Sequence, residues 1–156
     1  MADFPESIAT ELLFDTHIDL APPENIGASP FGTRAIFVVL GGTFEGPRMR
    51  GTVRSGGGDW FLTLPNGAGE LDVRLTLETD DGALIYTTYR GVLIASPEVM
   101  ARVFAGEDVS TTEYYFRTTP RFETGSEQYA WLNTTVAIGV GCPAPNKVSY
   151  RVFAVK

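Results

Sequence analysis

The chain of 156 residues carries 44% hydrophobic and 20% charged side chains, the balance of one globular domain and not of a disordered chain. Its 19 acidic residues outnumber 12 basic ones, and a net charge of −7 argues against a nucleic-acid partner, whose phosphates call for clustered Lys and Arg. The longest unbroken apolar run, Ala35–Leu40, falls far short of the ~20 residues of a membrane-spanning helix, and a single cysteine, Cys142, excludes an intrachain disulfide.

The first residues, with Asp3, Glu6 and Glu11, lack the basic-then-apolar order of a secretory leader, so the expected location is the cytoplasm. No break in composition divides the chain. Residues 1–156 are expected to form one domain, with 1–8 a loose leading segment. From there the dominant signal is alternation with period two, bounded by Gly, Pro and Asp. Leu12, Phe14, Thr16, Ile18 and Leu20 share one face, and Asp15, His17 and Asp19 the other. A dense β run from Thr33 to Leu40 ends at Gly41-Gly42. A weaker strand, Pro47 to Arg54, leads into a flexible Gly56-Gly57-Gly58 turn.

Leu71, Val73, Leu75 and Leu77 then alternate with Asp72, Arg74, Thr76 and Glu78, and Asp81-Gly82 predicts a hairpin with a type I′ turn. Ala83 to Ala95 is the returning strand. One short helix is predicted near Ser96–Ala105, with Ser96 as cap, Pro97 in the first turn and Gly106 as the stop. Strands are expected over Thr111–Phe122, Ala130–Gly141 and Val148–Val155. Eight or nine strands with short connections predict an all-β fold, a single antiparallel closed β-barrel with one helix, since closure removes exposed edges.

Several chemistries lose their footing. One His and one Cys give no zinc-ligand spacing, and no metal site is expected. No phosphate-cradling loop or dinucleotide fingerprint opens a helix, so no cofactor is expected. A Ser-His-Asp triad would have only His17 as its base, and no serine sits in a nucleophile elbow. What remains is polar and aromatic residues spaced two apart: Asp72 with Arg74; Tyr86, Thr88 and Arg90; Glu113, Tyr115 and Arg117; Trp131, Asn133 and Thr135. In a barrel, one face of each strand lines the lumen. Alternation alone also permits the reverse, with these residues in solvent and Leu71, Val73, Leu75 and Leu77 filling the core.

The strings Gly32-Thr33-Arg34, Gly41-Gly42-Thr43-Phe44-Glu45-Gly46-Pro47, Gly56-Gly57-Gly58-Asp59-Trp60, Leu71-Asp72-Val73-Arg74, Thr79-Asp80-Asp81-Gly82-Ala83-Leu84-Ile85-Tyr86, Tyr115-Phe116-Arg117, Pro120-Arg121-Phe122-Glu123-Thr124 and Tyr129-Ala130-Trp131-Leu132-Asn133 resemble, in order, the family known as domain of unknown function 3237. The resemblance covers residues 11–156. It implies a small barrel similar to the allene-oxide-cyclase and dirigent-type barrels, which bind hydrophobic or phenolic molecules. It supplies no settled catalytic residues. Because Asp59, Trp60, Asp72, Arg74, Tyr86, Arg117, Trp131 and Asn133 fall inside these strings, it favours the lumen reading.

On that reading the chain is a cofactor-free lyase, isomerase or cyclase acting on a small carbonyl or phenolic compound. Asp72 is the candidate base, Arg74 or Arg117 the anion holder, and Tyr86 or Tyr115 the proton donor. Trp131 and Asn133 are candidate ligand contacts, Asp59 and Trp60 form the rim, and His17 is a fallback base. A non-catalytic carrier of a small hydrophobic ligand, and a purely structural barrel, are the competing readings. The excess of apolar residues on both strand faces adds the expectation of a homo-oligomer.

Overall fold

A computed structural model describes residues 2–156. The strands are β1 (Thr10–Leu20), β2 (Glu24–Ser29), β3 (Gly32–Glu45), β4 (Arg50–Val53), β5 (Gly58–Thr63), β6 (Gly69–Thr79), β7 (Leu84–Ile94), β8 (Tyr115–Glu123), β9 (Ala137–Ala144) and β10 (Lys147–Val155). The helix α1 spans Pro97–Phe104 and lies between β7 and β8. Every pairing is antiparallel. The ring runs β1-β10-β9-β8-β7-β6-β4-β3 and closes by β1 pairing with β3, which makes an eight-stranded barrel. Two strands lie off the ring: β2 borders β3, and β5 lies between β3 and β6 beyond the end of β4.

The alternation on β6 settles which face is inside. Leu71, Val73, Leu75 and Leu77 are 2–4% exposed and fill the interior. They are joined by Ile85 and Tyr89 of β7, Phe116 and Phe122 of β8, Tyr150 and Val152 of β10, and Phe14 and Ile18 of β1. Burial of this apolar register is the main force that fixes each strand's face, because a one-residue slip would turn every leucine outward.

The two ends of the barrel differ. At one end Phe14, Phe44 and Phe122 meet edge to face, with ring centroids 5.6 and 6.0 Å apart, and Met49, Tyr129 and Leu132 are buried with them. This end is closed. At the other end the inward residues Leu20, Ala35, Phe37, Phe61, Leu93 and Val148 are only half-buried. That end is open.

Three local expectations are corrected. First, β2 and β5 were not foreseen, since Glu24–Ser29 lacks apolar alternation and β5 starts inside the glycine run. Second, Gly82 (φ 90) is left-handed but Asp81 is not, whereas a type I′ turn needs two successive positive φ values. The loop instead closes by Gly82 N–H donating to the Thr79 carbonyl and Thr79 N–H to the Ala83 carbonyl. Third, Ala130–Thr134 is a 3-10 turn and not a strand, because Tyr129 and Leu132 fold inward over the closed end. The helix matches its signals, with the Ser96 hydroxyl accepting from Val99 N–H at 3.2 Å. Among the described residues no helix is long and apolar enough to cross a membrane.

Candidate functional site at the open end of the barrel

Most of the polar residues singled out from the sequence stand on the outer wall. Asp72 lies outside β6, 3.5 Å from both Arg74 and Arg90, and the Arg74 guanidinium stacks over Trp60 at 5.6 Å. Tyr86 and Tyr115 are 42% and 51% exposed, and Arg117 sits over the Tyr115 ring at 5.0 Å. The expected pairing of Asp72 with arginine is present, but in water and not in a lumen. The lumen placement of Asp72, Arg74, Tyr86, Tyr115 and Arg117 is therefore corrected: the apolar neighbour of each takes the interior.

Trp131 and Asn133 lie at the closed end. Arg48 covers the Trp131 ring at 3.7 Å, while Asn133 holds Thr124 through both its amide atoms, at 2.8 and 3.0 Å. His17 is also outside, its Nδ1 2.8 Å from the Ser149 hydroxyl. It borders an open outer cleft of about 430 Å³, formed with Asp15, Thr43, Glu45, Arg50 and Asp80. There Asp15 already binds Arg151 in two-pronged fashion and Arg50 binds Asp80. The charges of that cleft largely satisfy one another, and it offers few apolar walls. Glu113, grouped with Tyr115 by alternation, instead binds Arg102 of the helix at 2.7 Å.

Asp59 is the exception. It pairs in register with Phe37 on one side and Val73 on the other, and Val73 is 2% exposed, so the carboxyl shares the inward face. Trp60, next along the strand, points out. Burial pushes the Asp59 carboxyl up to about 6. The Asp72 backbone N–H, donating to Oδ1 at 3.0 Å, opposes that rise; the Asp72 charge adds to it, and the Arg34 charge opposes it. Arg34 itself is turned to the outer face, where Nη1 donates to the Trp60 carbonyl at 2.7 Å.

Tyr89 follows in the same row of the barrel wall, since Asp59 pairs with Val73 and Val73 with Tyr89, and its ring meets that of Tyr150 with centroids 5.3 Å apart. Burial raises both phenols well above their ordinary value, and the negative charge of Asp59 adds to the effect. Both stay protonated through the physiological range, and because the two hydroxyls hydrogen-bond each other, one phenol proton is left to donate elsewhere. Beneath them lies a cavity of about 20 Å³. It is lined in part by Thr16, Thr87 and Thr118, and the Thr87 hydroxyl is buried there without a protein partner. Above them the walls are apolar, with Phe37 and Phe61 edge to face at 6.0 Å.

The site is thus one carboxyl and two phenols under an aromatic rim, a composition suited to small-molecule binding and proton transfer. Tyr89 and Tyr150 were missed from the sequence. The available signal was a hydroxyl-bearing aromatic inside an otherwise apolar register, Ile85-Thr87-Tyr89 and Val148-Tyr150-Val152. Among the described residues no cluster of three or more His, Cys, Asp or Glu side chains is arranged to hold a metal ion.

Comparison with known proteins agrees with this architecture. The family model described as "Protein of unknown function (DUF3237)" matches residues 8–155. A UPF0311 protein of Rhodopseudomonas palustris is 32% identical over 149 residues, covering 96% of this chain and 97% of the relative. The crystal structure of a beta-barrel like protein from Acinetobacter baumannii superposes with a TM-score of 0.85 at 39% identity, covering 98% and 99% of the two chains. A more distant structure, called an enzyme from Penicillium herquei, shares the fold with a TM-score of 0.73 at 23% identity over the full length of both chains. With the family model spanning nearly the whole chain and close relatives matching end to end, this protein belongs to the DUF3237 family.

Proposed function

We propose that the open end of the barrel is the active site of a cofactor-free isomerase, lyase or cyclase for a small carbonyl compound, with Asp59 as its acid-base group. The observation that carries this reading is the inward carboxyl of Asp59, in the same register row as Val73 and Tyr89 and held near neutrality by burial, with the Tyr89–Tyr150 phenol pair in the same interior. A base with a pKa near the working pH combines an adequate ionised fraction with an adequate proton affinity. As an isomerase, the ionised carboxyl takes a proton from the carbon beside a carbonyl. The C–H electron pair moves into an enolate, whose oxygen accepts a hydrogen bond from a phenol. The protonated carboxyl then returns the proton to another carbon, so atoms and charge balance without a co-reactant. Asp59 replaces Asp72 in this role, and Tyr89 and Tyr150 replace Tyr86 and Tyr115.

The test begins with a thermal-shift screen of small carbonyl compounds, since a ligand that binds only the folded state raises the melting temperature. Hits are then followed for turnover by NMR. Asp59→Asn is expected to keep binding and lose turnover by at least ~100-fold. Asp72→Asn, on the outer wall, is expected to keep both. Equal turnover by wild type and Asp59→Asn would sink the catalytic reading and leave a carrier protein.

A further inference from the structure

We propose that the open end selects an uncharged, largely apolar ligand bearing a hydrogen-bond-accepting oxygen, and rejects carboxylates and phosphates. This rests on the reading of that end as the ligand site and adds the ligand's class. The first support is where the cations stand. Among the described residues, no Arg or Lys shares the inward register at the open end. Arg34, Arg74, Arg90 and Arg117 are on the outer wall, Arg48 is at the closed end, Arg102 is engaged by Glu107 and Glu113, and Lys147 reaches Asp19. The anion holders expected from the sequence, Arg74 and Arg117, therefore cannot serve a ligand inside. The N-terminus of α1 is capped by Ser96 and carries Glu98 in its first turn, which offers an anion nothing further.

The second support is what does point inward. Asp59 repels an anion when ionised; beside it stand the half-buried Leu20, Ala35, Phe37, Phe61, Leu93 and Val148, and Tyr114, in step with the inward Phe116 and Thr118, adds a buried hydroxyl with no partner in the protein. An anion entering this space gives up its hydration and gains no positive partner. A cation fares little better: an ammonium group has three N–H donors to satisfy and meets one carboxylate among apolar walls. An uncharged oxygen, by contrast, accepts from the phenol proton that the hydrogen-bonded Tyr89–Tyr150 pair leaves free, and from Asp59 when that carboxyl is protonated.

The test uses the neutral fluorescent reporter N-phenyl-1-naphthylamine and three competitors of one shape: 1-naphthalenemethanol, 1-naphthoate and 1-naphthylmethylammonium. The alcohol is expected to displace the reporter at a concentration at least ~10-fold lower than the naphthoate, the scale set by one unfavourable charge pair at short range in a protein interior. Asp59→Asn should narrow the gap between alcohol and naphthoate, since it removes the repelling charge and keeps the acceptor for the Asp72 N–H. Displacement by naphthoate or by the ammonium at or below the alcohol's concentration overturns the charge rule while leaving the site standing. Ala35→Trp, at the rim, separates the two failures. If the reporter fails to bind wild type, or binds this variant as it binds wild type, the open end is not the site and the rule falls with it.

Discussion

Asp59 is costly to the fold that holds it. Its native pKa of about 6 lies above the 3.8 of an unperturbed aspartate. Between those values the folded chain binds the extra proton, so stability falls as pH rises from about 4 to 6. Above about 6 the full penalty is present, of order 2–3 kcal/mol, and below about 4 it is absent. Asn keeps the oxygen that accepts from Asp72 N–H but sheds the buried charge. Asp59→Asn is therefore expected to melt above wild type at pH 8 by about 1–2 kcal/mol, some 3–6 °C, with the difference closing at pH 4. Thermal unfolding of both proteins at the two pH values checks this, and a constant difference across pH would show that the carboxyl is not desolvated. Asp72 makes the contrast. Its partners Arg74 and Arg90 are half or more exposed, and exposed pairs contribute about 0–1 kcal/mol, so Asp72→Asn should shift stability by less than about 1 kcal/mol. The sequence placed Asp59 in a telling string but could not say which way it points, because the register of β5 depends on β3 and β6 on either side. The same gap led to Asp72: both faces of β6 alternate cleanly, and only the closed ring decides that leucine outranks aspartate for the interior.

At the level of elements, the seam of the barrel depends on Gly42, where β3 passes between β1 and β4. Its φ of 154° favours glycine, and a Cβ there would stand 2.1 Å from the backbone oxygen of His17. Neither strand can yield without losing pairing. Gly42→Ala is expected to cost more than ~3 kcal/mol, from strain and clash together. Gly27, also with positive φ but with open space around it, pays the backbone term alone, and Gly27→Ala should cost about 1 kcal/mol. Denaturant titration of the pair checks this, and equal losses would contradict the clash. The Gly41-Gly42 pair was legible as the end of a β run, yet the strand continues through it to Glu45. β6, β7, β10 and α1 were legible because alternation, capping and local turns are written in neighbouring residues. The stretch Ala130–Thr134 was not: its aromatic content reads as strand, and its 3-10 form follows from the demand to bury Tyr129 and Leu132 over the closed end.

For the whole molecule, closure joins the two ends of the chain. β1 bonds to β10 along nearly its full length and to β3 on its other edge. The Asp15–Arg151 pair spans 136 positions of sequence. Such long-range pairing must be completed before the ring repays its loop entropy, so the barrel should unfold as one cooperative unit. The residues before the ring are different: positions 2–8 are exposed throughout, with Phe4 and Ile8 at 77% and 66%. Two deletions separate these roles. Removing residues 2–8 takes away little buried surface and should move the melting temperature by only a few degrees. Removing 147–156 takes Tyr150 and Val152 from the core and leaves β1 and β9 with unpaired edges, a state prone to pairing with other chains. That variant should show no cooperative thermal transition by circular dichroism and should aggregate. A cooperative melt in the C-terminal deletion would mean that seven strands and an open edge suffice, and that closure is not what holds the open-end site in shape.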